Sequence, residues 1–211
     1  MQFEWRLCER PSCQFRFPVT DDRQTGESCP LCQSPTAVAA SASTGSEMLE
    51  AKPATGTAVA ALLDNLRSVY NVGSIFRTAD GAGLAHLHLC GITPPPTHPK
   101  IAKTALGAEA HIPWTQHKNG VETALRLQQT GWQIWALEEG ETAVPLFTCS
   151  APAQPVLLVV GNEIAGIDPG LLTIADEIVS LPMLGVKRSL NVATAFGVAA
   201  YFLRFQRGDR K

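Results

Sequence analysis

Apolar positions along the chain fall into short continuous runs and runs spaced at helical intervals, and the two kinds alternate. Val59 to Leu63 is a short, wholly apolar run of the kind that forms a strand covered on both faces. From Asn71 to Gly81 the period changes. Ile75, Phe76 and Ala79 share one helical face, with Asn71 as the candidate N-cap. His86 to Cys90 alternates like a strand. Gly120 to Thr130 is helical again, with Val121, Ala124, Leu125 and Gln128 close to one face. Trp132 to Leu137 and Val156 to Val160 read as strands. Pro169 to Ile174 reads as a short helix capped by Asp168, with proline at its first position. Glu177 to Leu181 is a further strand, and Ser189 to Phe205 a closing helix with Ser189 as a suitable N-cap. Strands alternating with helices predict an α/β fold, a mostly parallel sheet flanked by helices on both faces.

The first part of the chain has neither pattern. Residues 37–56 are small and polar with no periodic apolar face, which is a linker composition. This divides the chain into a module at 1–36, a flexible linker at 37–56 and a main domain at 57–211. Four of the six cysteines, Cys8, Cys13, Cys29 and Cys32, lie in the module as a C-x4-C and a C-x2-C pair. Two close pairs on two turns supply the tetrahedral ligand set of a structural zinc, with iron the lesser alternative and unligated thiols the bland one. A module of about 40 residues or fewer needs such a staple. Phe3, Trp5, Phe15 and Phe17 are expected to form a minimal core around it, so the module reads as zinc-ribbon-like.

Composition narrows the classes. Hydrophobic residues make up 45% of 211 and charged residues 17%, which suits a packed domain plus a small one and excludes disorder. A net charge of -2 argues against binding nucleic acid by bulk charge and leaves room for a local basic patch. Met1 to Cys13 has no apolar signal region, and Val192 to Leu203 is too short and too rich in Ala and Gly to span a bilayer. The expectation is a soluble cytoplasmic protein without a membrane partner. In that setting clustered cysteines read as metal ligands before disulfides. Cys90 and Cys149 are expected as core thiols. The five histidines are scattered, read as structural or exposed, and none is assigned to a site.

Three segments of the main domain carry candidate chemistry. Asn65, Arg67, Asn71 and Arg77 stand among Val69, Val72, Ile75 and Phe76. The helix opened by Asn71 and Gly73 offers its N-terminus to a phosphate, and an ordinary amphipathic helix with a surface arginine is an equal reading. Val159 to Asp168, VVGNEIAGID, lacks both the dinucleotide fingerprint and the P-loop lysine. Its glycines let backbone approach a ligand, and Glu163 either bonds a ligand or ties down a neighbouring loop. In Leu181 to Val192, LPMLGVKRSLNV, Lys187 and Arg188 are either a solvated loop tip or phosphate contacts.

Taken in order, N-x-G-x-x-x-R at Asn71, Gly73 and Arg77, K-T-A-L-G-A-E from Lys103, G-x-E-x-x-G at Gly161, Glu163 and Gly166, and P-M-x-G with S-L-N from Pro182 to Asn191 resemble the SpoU/TrmH family of SPOUT methyltransferases. The resemblance spans the main domain and leaves out the cysteine module. It implies a parallel sheet with a deep C-terminal trefoil knot, a homodimer with the site at the subunit interface, and S-adenosylmethionine held around Gly161, Leu181, Met183, Gly185 and Leu190. The implied reaction is 2'-O-methylation of a ribose in tRNA or rRNA. By resemblance Arg77 is the central catalytic residue; since a guanidinium stays protonated, it is expected to grip the phosphate and the 2'-oxygen. Ser189 and Asn191 would orient Arg77 or the ribose, with Asn71 and Glu163 in support. Arg67, Lys103, Lys187 and Arg188 are the expected RNA contacts, and the zinc would be structural or RNA-docking. A non-catalytic RNA-binding protein that keeps the fold, and a base methyltransferase, are the alternatives.

Overall fold

Val59–Asp64 (β4) and Val156–Val160 (β9) are buried at every position, because they pair with each other in parallel at the centre of a sheet covered on both faces. The computed structural model describes residues 2–20, 26–43 and 57–206. The chain divides into two units, residues 1–53 and 54–211.

The first unit is an antiparallel sheet of Gln2–Cys8 (β1), Arg16–Thr20 (β2) and Thr36–Ser43 (β3), in the order β2-β1-β3. β3 corrects the linker expected from residue 37. Its small residues carry no apolar stripe, yet their backbone groups complete the ladder along β1. The rest of that linker, residues 44–56, lies outside the described residues. The expected aromatic core is absent as well. Trp5 is 40% exposed, and Phe3, Phe15 and Phe17 are only half-buried. The buried side chains of the unit are Cys8, Cys29 and Thr36, so its centre is sulphur rather than hydrocarbon.

The second unit holds a seven-stranded parallel sheet in the order β6-β5-β4-β9-β7-β10-β8. The other strands are Leu87–Cys90 (β5), Trp114–His117 (β6), Gln133–Leu137 (β7), Val144–Pro145 (β8) and Glu177–Ser180 (β10). One face buries Phe76, Leu158 and Phe196 under Val69–Ala82 (α1), Pro99–Ala105 (α2) and Val192–Phe205 (α5). The other buries Leu62, Ile134 and Leu157 under Gly120–Gln129 (α3) and Pro169–Ile174 (α4). Arg204, a buried cation on α5, donates to the carbonyls of Ala82 and Thr57, so it is satisfied by backbone oxygens that the helix and strand ends leave free. Among the described residues no helix is long and apolar enough to cross a membrane.

Two predicted caps move. Ser68, not Asn71, caps α1: its hydroxyl accepts the Asn71 N–H at 3.3 Å, and the helix starts at Val69. Asn191, not Ser189, caps α5, its Oδ1 accepting from the Ala193 N–H at 2.9 Å. In each case a residue with cap chemistry stands two or three positions from another, and tertiary bonds choose between them. Cys149 is half-exposed rather than a core thiol, whereas Cys90 is fully buried.

Gly73 has a packing role. It lies inside α1 where α2 crosses, and a Cβ there would run into Thr104 and come within 2.9 Å of the Ile101 carbonyl. An alanine in a free helix interior stabilises by about 1 kcal/mol relative to glycine. Here overpacking of about 1–3 kcal/mol reverses the sign. Gly73→Ala is therefore expected to lower stability in urea denaturation, and a gain in stability would show that the two helices do not meet this closely.

Candidate active site and metal centre

All seven strands run the same way, so their C-terminal ends share one edge, where open α/β sheets form their sites. Strands β9, β7 and β10 are neighbours in the sheet, and a cavity of about 520 Å³ opens over their ends. That is room for a small-molecule cofactor. Val160 to Ile164, Ser180, Leu181 and Met183, and Ser189 to Val192 line it, together with Leu137 to Glu139.

One carboxylate ties the segments together. Glu163 accepts the backbone N–H groups of Arg67 and Ser68, each at 3.0 Å, and the Asn71 side-chain amide at 2.9 Å. The Asn71 oxygen accepts from the Asn191 side chain at 3.0 Å, and the Asn191 oxygen caps α5. The partners fix both amide orientations, since a carboxylate accepts only from the nitrogen side. The anion expected at the N-terminus of α1 is thus the chain's own Glu163, and a phosphate has no vacancy there. Partial burial works to raise the Glu163 carboxyl. The Arg67 N–H, the Asn71 amide, its own N–H and the Ser68 N–H outweigh that and hold it below its ordinary value.

The loop bearing Glu163 is itself strapped from two sides. Glu138, at the end of β7, accepts the Ile167 N–H at 2.9 Å, and buried Asp64, at the end of β4, accepts the Asp168 N–H at 3.0 Å. Asn162 bonds the Asn65 carbonyl at 2.7 Å and closes its own turn through the N–H groups of Ile164 and Ala165. A Cβ at Gly161 would collide with the backbone of Gly166 and Ile167, so this glycine admits the loop's own crossing. Glu138, Asp64 and Asn162 were not singled out from sequence. For Asp64 and Glu138 the available signal is an acid directly after a predicted strand; Asn162 offers no such signal.

Of the residues predicted from sequence, Gly161, Leu181, Met183, Leu190, Glu163, Ser189 and Asn191 line the cavity. Gly185, Asn71 and Arg77 do not. Arg77 is exposed on α1, and no hydrogen bond joins it to Ser189 or Asn191 among the described residues. It shares an exposed helical strip with Tyr70, Ser74 and Gly81, and a Cβ at Gly81 would lie 2.9 Å from the Tyr201 hydroxyl of α5. Arg67, Lys103, Lys187 and Arg188 are exposed and form no ion pair among the described residues.

In the first unit the sulphurs of Cys8, Cys13, Cys29 and Cys32 all lie within 4.8 Å of one another. Cys8 to Cys32 is 3.5 Å and Cys13 to Cys29 is 3.8 Å, far beyond the ~2.05 Å of a disulfide. Four thiolates about 2.3 Å from a central zinc would be about 3.8 Å apart. The donor set therefore fits a tetrahedral metal. Gln14 and Gln33, with φ of 47° and 60°, bend the two turns that present the pairs.

The Glu163 clamp has a pH signature. A carboxyl lowered by folding contributes stability that is present above its ordinary value of 4.5 and lost as pH falls through the lower folded value. Glu163→Gln gives up one of the acceptor positions and is expected to cost about 1 kcal/mol near neutral pH. In thermal melts of both forms the difference in Tm should hold above pH 4.5 and shrink in more acid solution. A difference that stays constant into acid would mean the carboxylate does not hold this loop.

Comparison with known proteins covers the second unit. Residues 58–201 match the model of the SpoU rRNA Methylase family. The chain is 31% identical over 151 residues to a tRNA (guanosine(18)-2'-O)-methyltransferase of Aquifex aeolicus, covering 70% of this chain and 69% of that one. It is 33% identical over 159 residues to the 23S rRNA (guanosine(2553)-2'-O)-methyltransferase RlmP of Bacillus subtilis, covering 74% and 62%. Among solved structures, an AdoMet-bound rRNA methyltransferase from Sinorhizobium meliloti superposes with a TM-score of 0.66 at 30% identity, over 72% of this chain and 57% of that one. The chain thus spans less than two thirds of the last two relatives. The match over 58–201, on a parallel sheet whose motif loops meet at one cavity, makes this chain a member of the SpoU methylase family.

Proposed function

We propose that the chain is an S-adenosylmethionine-dependent RNA methyltransferase acting on a ribose 2'-hydroxyl of tRNA or rRNA. The observation that carries this is the cavity bounded by the motif loops at Gly161–Gly166 and Leu181–Asn191 and braced by the chain from Glu163 through Asn71 to Asn191. The lining suits that cofactor. It contains Glu138, Glu139 and Glu163 and no Lys, Arg or His, as befits a ligand with a sulfonium and an ammonium group. When bound, S-adenosylmethionine supplies a methyl group activated by positive sulphur. A ribose hydroxyl is a poor nucleophile, so the protein's task is to align it and to share its proton late. Ser189 and Asn191, at the cavity wall, orient the ribose. Arg77 grips the adjoining phosphate and the 2'-oxygen as a permanent cation.

Arg77 lies outside the cavity of its own chain, which supports a homodimer in which a second copy completes the site. Around its strip Tyr70, Tyr201 and Phe205 are 56%, 46% and 62% exposed, an apolar surface of the kind that pairing covers. The order β9-β7-β10, in which β7 lies between two later strands, is compatible with the knot of the family fold. The exposed Arg67, Lys103, Lys187 and Arg188 are the basic groups that meet RNA phosphates, and the cytoplasm, where RNA and the cofactor occur together, is the expected compartment. Zinc on Cys8, Cys13, Cys29 and Cys32 has a structural role, since no core replaces it.

Incubating the protein with labelled S-adenosylmethionine and total RNA, then mapping the labelled nucleoside, is expected to give a 2'-O-methyl ribose. Label on a base would overturn the ribose reading, and absence of transfer would favour a binding-only protein. Arg77→Ala should abolish transfer while stability stays within about 0.5 kcal/mol, the usual range for an exposed position. Purified protein should carry about one zinc per chain. Its removal by chelator should unfold residues 1–43 to hydrogen exchange while residues 57–206 stay protected.

A further inference from the structure

A sheet covered on one face normally sends its apolar side chains to that face. In the first unit β1 does the reverse. Glu4, Arg6 and Cys8 share the covered face, where Cys8 is in register with Thr36 and both are buried. Arg6 Nε donates to Thr36 Oγ1 at 2.9 Å, and a Cβ at Gly26 would run into the Arg6 side chain, so the segment from Gly26 to Thr36 folds back over this side. Phe3, Trp5 and Leu7 alternate with those residues and point to the opposite face, where Trp5 is 40% and Leu7 38% exposed.

β1 is the middle strand, so Trp5 stands at the centre of the open face. Its cross-strand neighbours are Pro18 on β2 and Ala40 on β3, and neither is tall enough to cover an indole. Leu7 lies between Arg16 and Ala37. Arg16 is exposed and forms no ion pair among the described residues. It is one diagonal step from Trp5, a separation of about 7–8 Å that a long side chain bridges. The acid of β1, Glu4, is on the covered face, where Arg6 pairs with it at 3.0 Å. No described strand residue on the open face is acidic.

We infer that the open face of this sheet binds an unpaired stretch of RNA, with a base stacked on Trp5 and a neighbouring phosphate held by Arg16. An indole among short neighbours offers a base a flat apolar surface, and a cation beside it meets the charge that every nucleotide carries. A purely apolar partner would leave Arg16 without a counter-charge, which an RNA phosphate supplies. Every base has a π-face, so the contact adds affinity without selecting a sequence. The choice of RNA as ligand rests on the methyl-transfer reading, but the face lies in the other unit and uses none of the cavity residues.

The test uses the full chain with zinc bound and a short fluorescein-labelled oligouridylate, with affinity read by anisotropy and methyl transfer to total RNA measured alongside. Trp5→Ala is expected to weaken oligonucleotide binding by about 5–150-fold, the range for loss of one stacked base, and to raise KM for RNA with little change in kcat. Trp5→Phe should restore most of the affinity. Arg16→Ala should also weaken binding and lower the slope of log affinity against log salt by about 0.7, the loss of one phosphate contact to a single strand. Zinc content equal to that of the unsubstituted chain shows that the first unit is intact; if Trp5→Ala loses zinc, Trp5→Phe and Arg16→Ala carry the test. A chain that binds the oligonucleotide through Trp5 and transfers no methyl group would sink the methyl-transfer reading and leave the face standing. A chain that transfers methyl while zinc-replete Trp5→Ala and Arg16→Ala bind RNA unchanged would overturn the face, and a change of oligomeric state in Trp5→Ala with RNA affinity unaltered would give the surface to a second copy instead.

Discussion

The Glu163 carboxylate at the start of α1 is the contact on which the cavity depends. It joins the loop after β9 to the loop after β4, 95 and 96 residues away in the chain. Through Asn71 it reaches the cap of α5 as well. A negative charge suits that position because the first N–H groups of a helix point outward without partners. One side chain therefore satisfies the helix, sets the loop and orients the amide that holds Asn191. Asn162 to the Asn65 carbonyl and Asp64 to the Asp168 N–H add further ties between the same two loops.

Sequence pattern located the strong elements well. Val156–Val160 and Pro169–Ile174 were readable to the residue, since a fully apolar run and an Asp-Pro start leave little choice. The short α2, after three consecutive prolines, and the edge strands β6 and β8 carried no clear period. Motif order brought out Asn71, Glu163, Ser189 and Asn191. Of the two roles open to Glu163, a ligand contact or a tie to a neighbouring loop, the structure shows the tie, and its partners are set by how β4 and β9 pair. A similar limit applies to the scattered histidines, since β5 and β6 bring His88 and His117 together from 29 residues apart.

The two units are stabilised by different means. In residues 57–206 two layers of hydrocarbon on a parallel sheet supply the core, and polar groups are few and paired. In residues 2–43 the described side chains bury almost no hydrocarbon, and four sulphurs occupy the centre instead. The first unit therefore has four thiols at its centre where the second has packed hydrocarbon.

The long separation between the bonded segments also affects how the molecule is made. The central pairing of β4 with β9 closes a loop of roughly a hundred residues, the slow kind of contact in folding. Asn191 and its helix α5 lie close to the end of the described chain. During synthesis the ribosome must release the chain through Asn191 and α5 before the cavity has its last wall. Until then Phe76, Leu158 and the rest of that sheet face await the helix that covers them, a window in which a chaperone or a second copy of the chain can compete for the exposed surface.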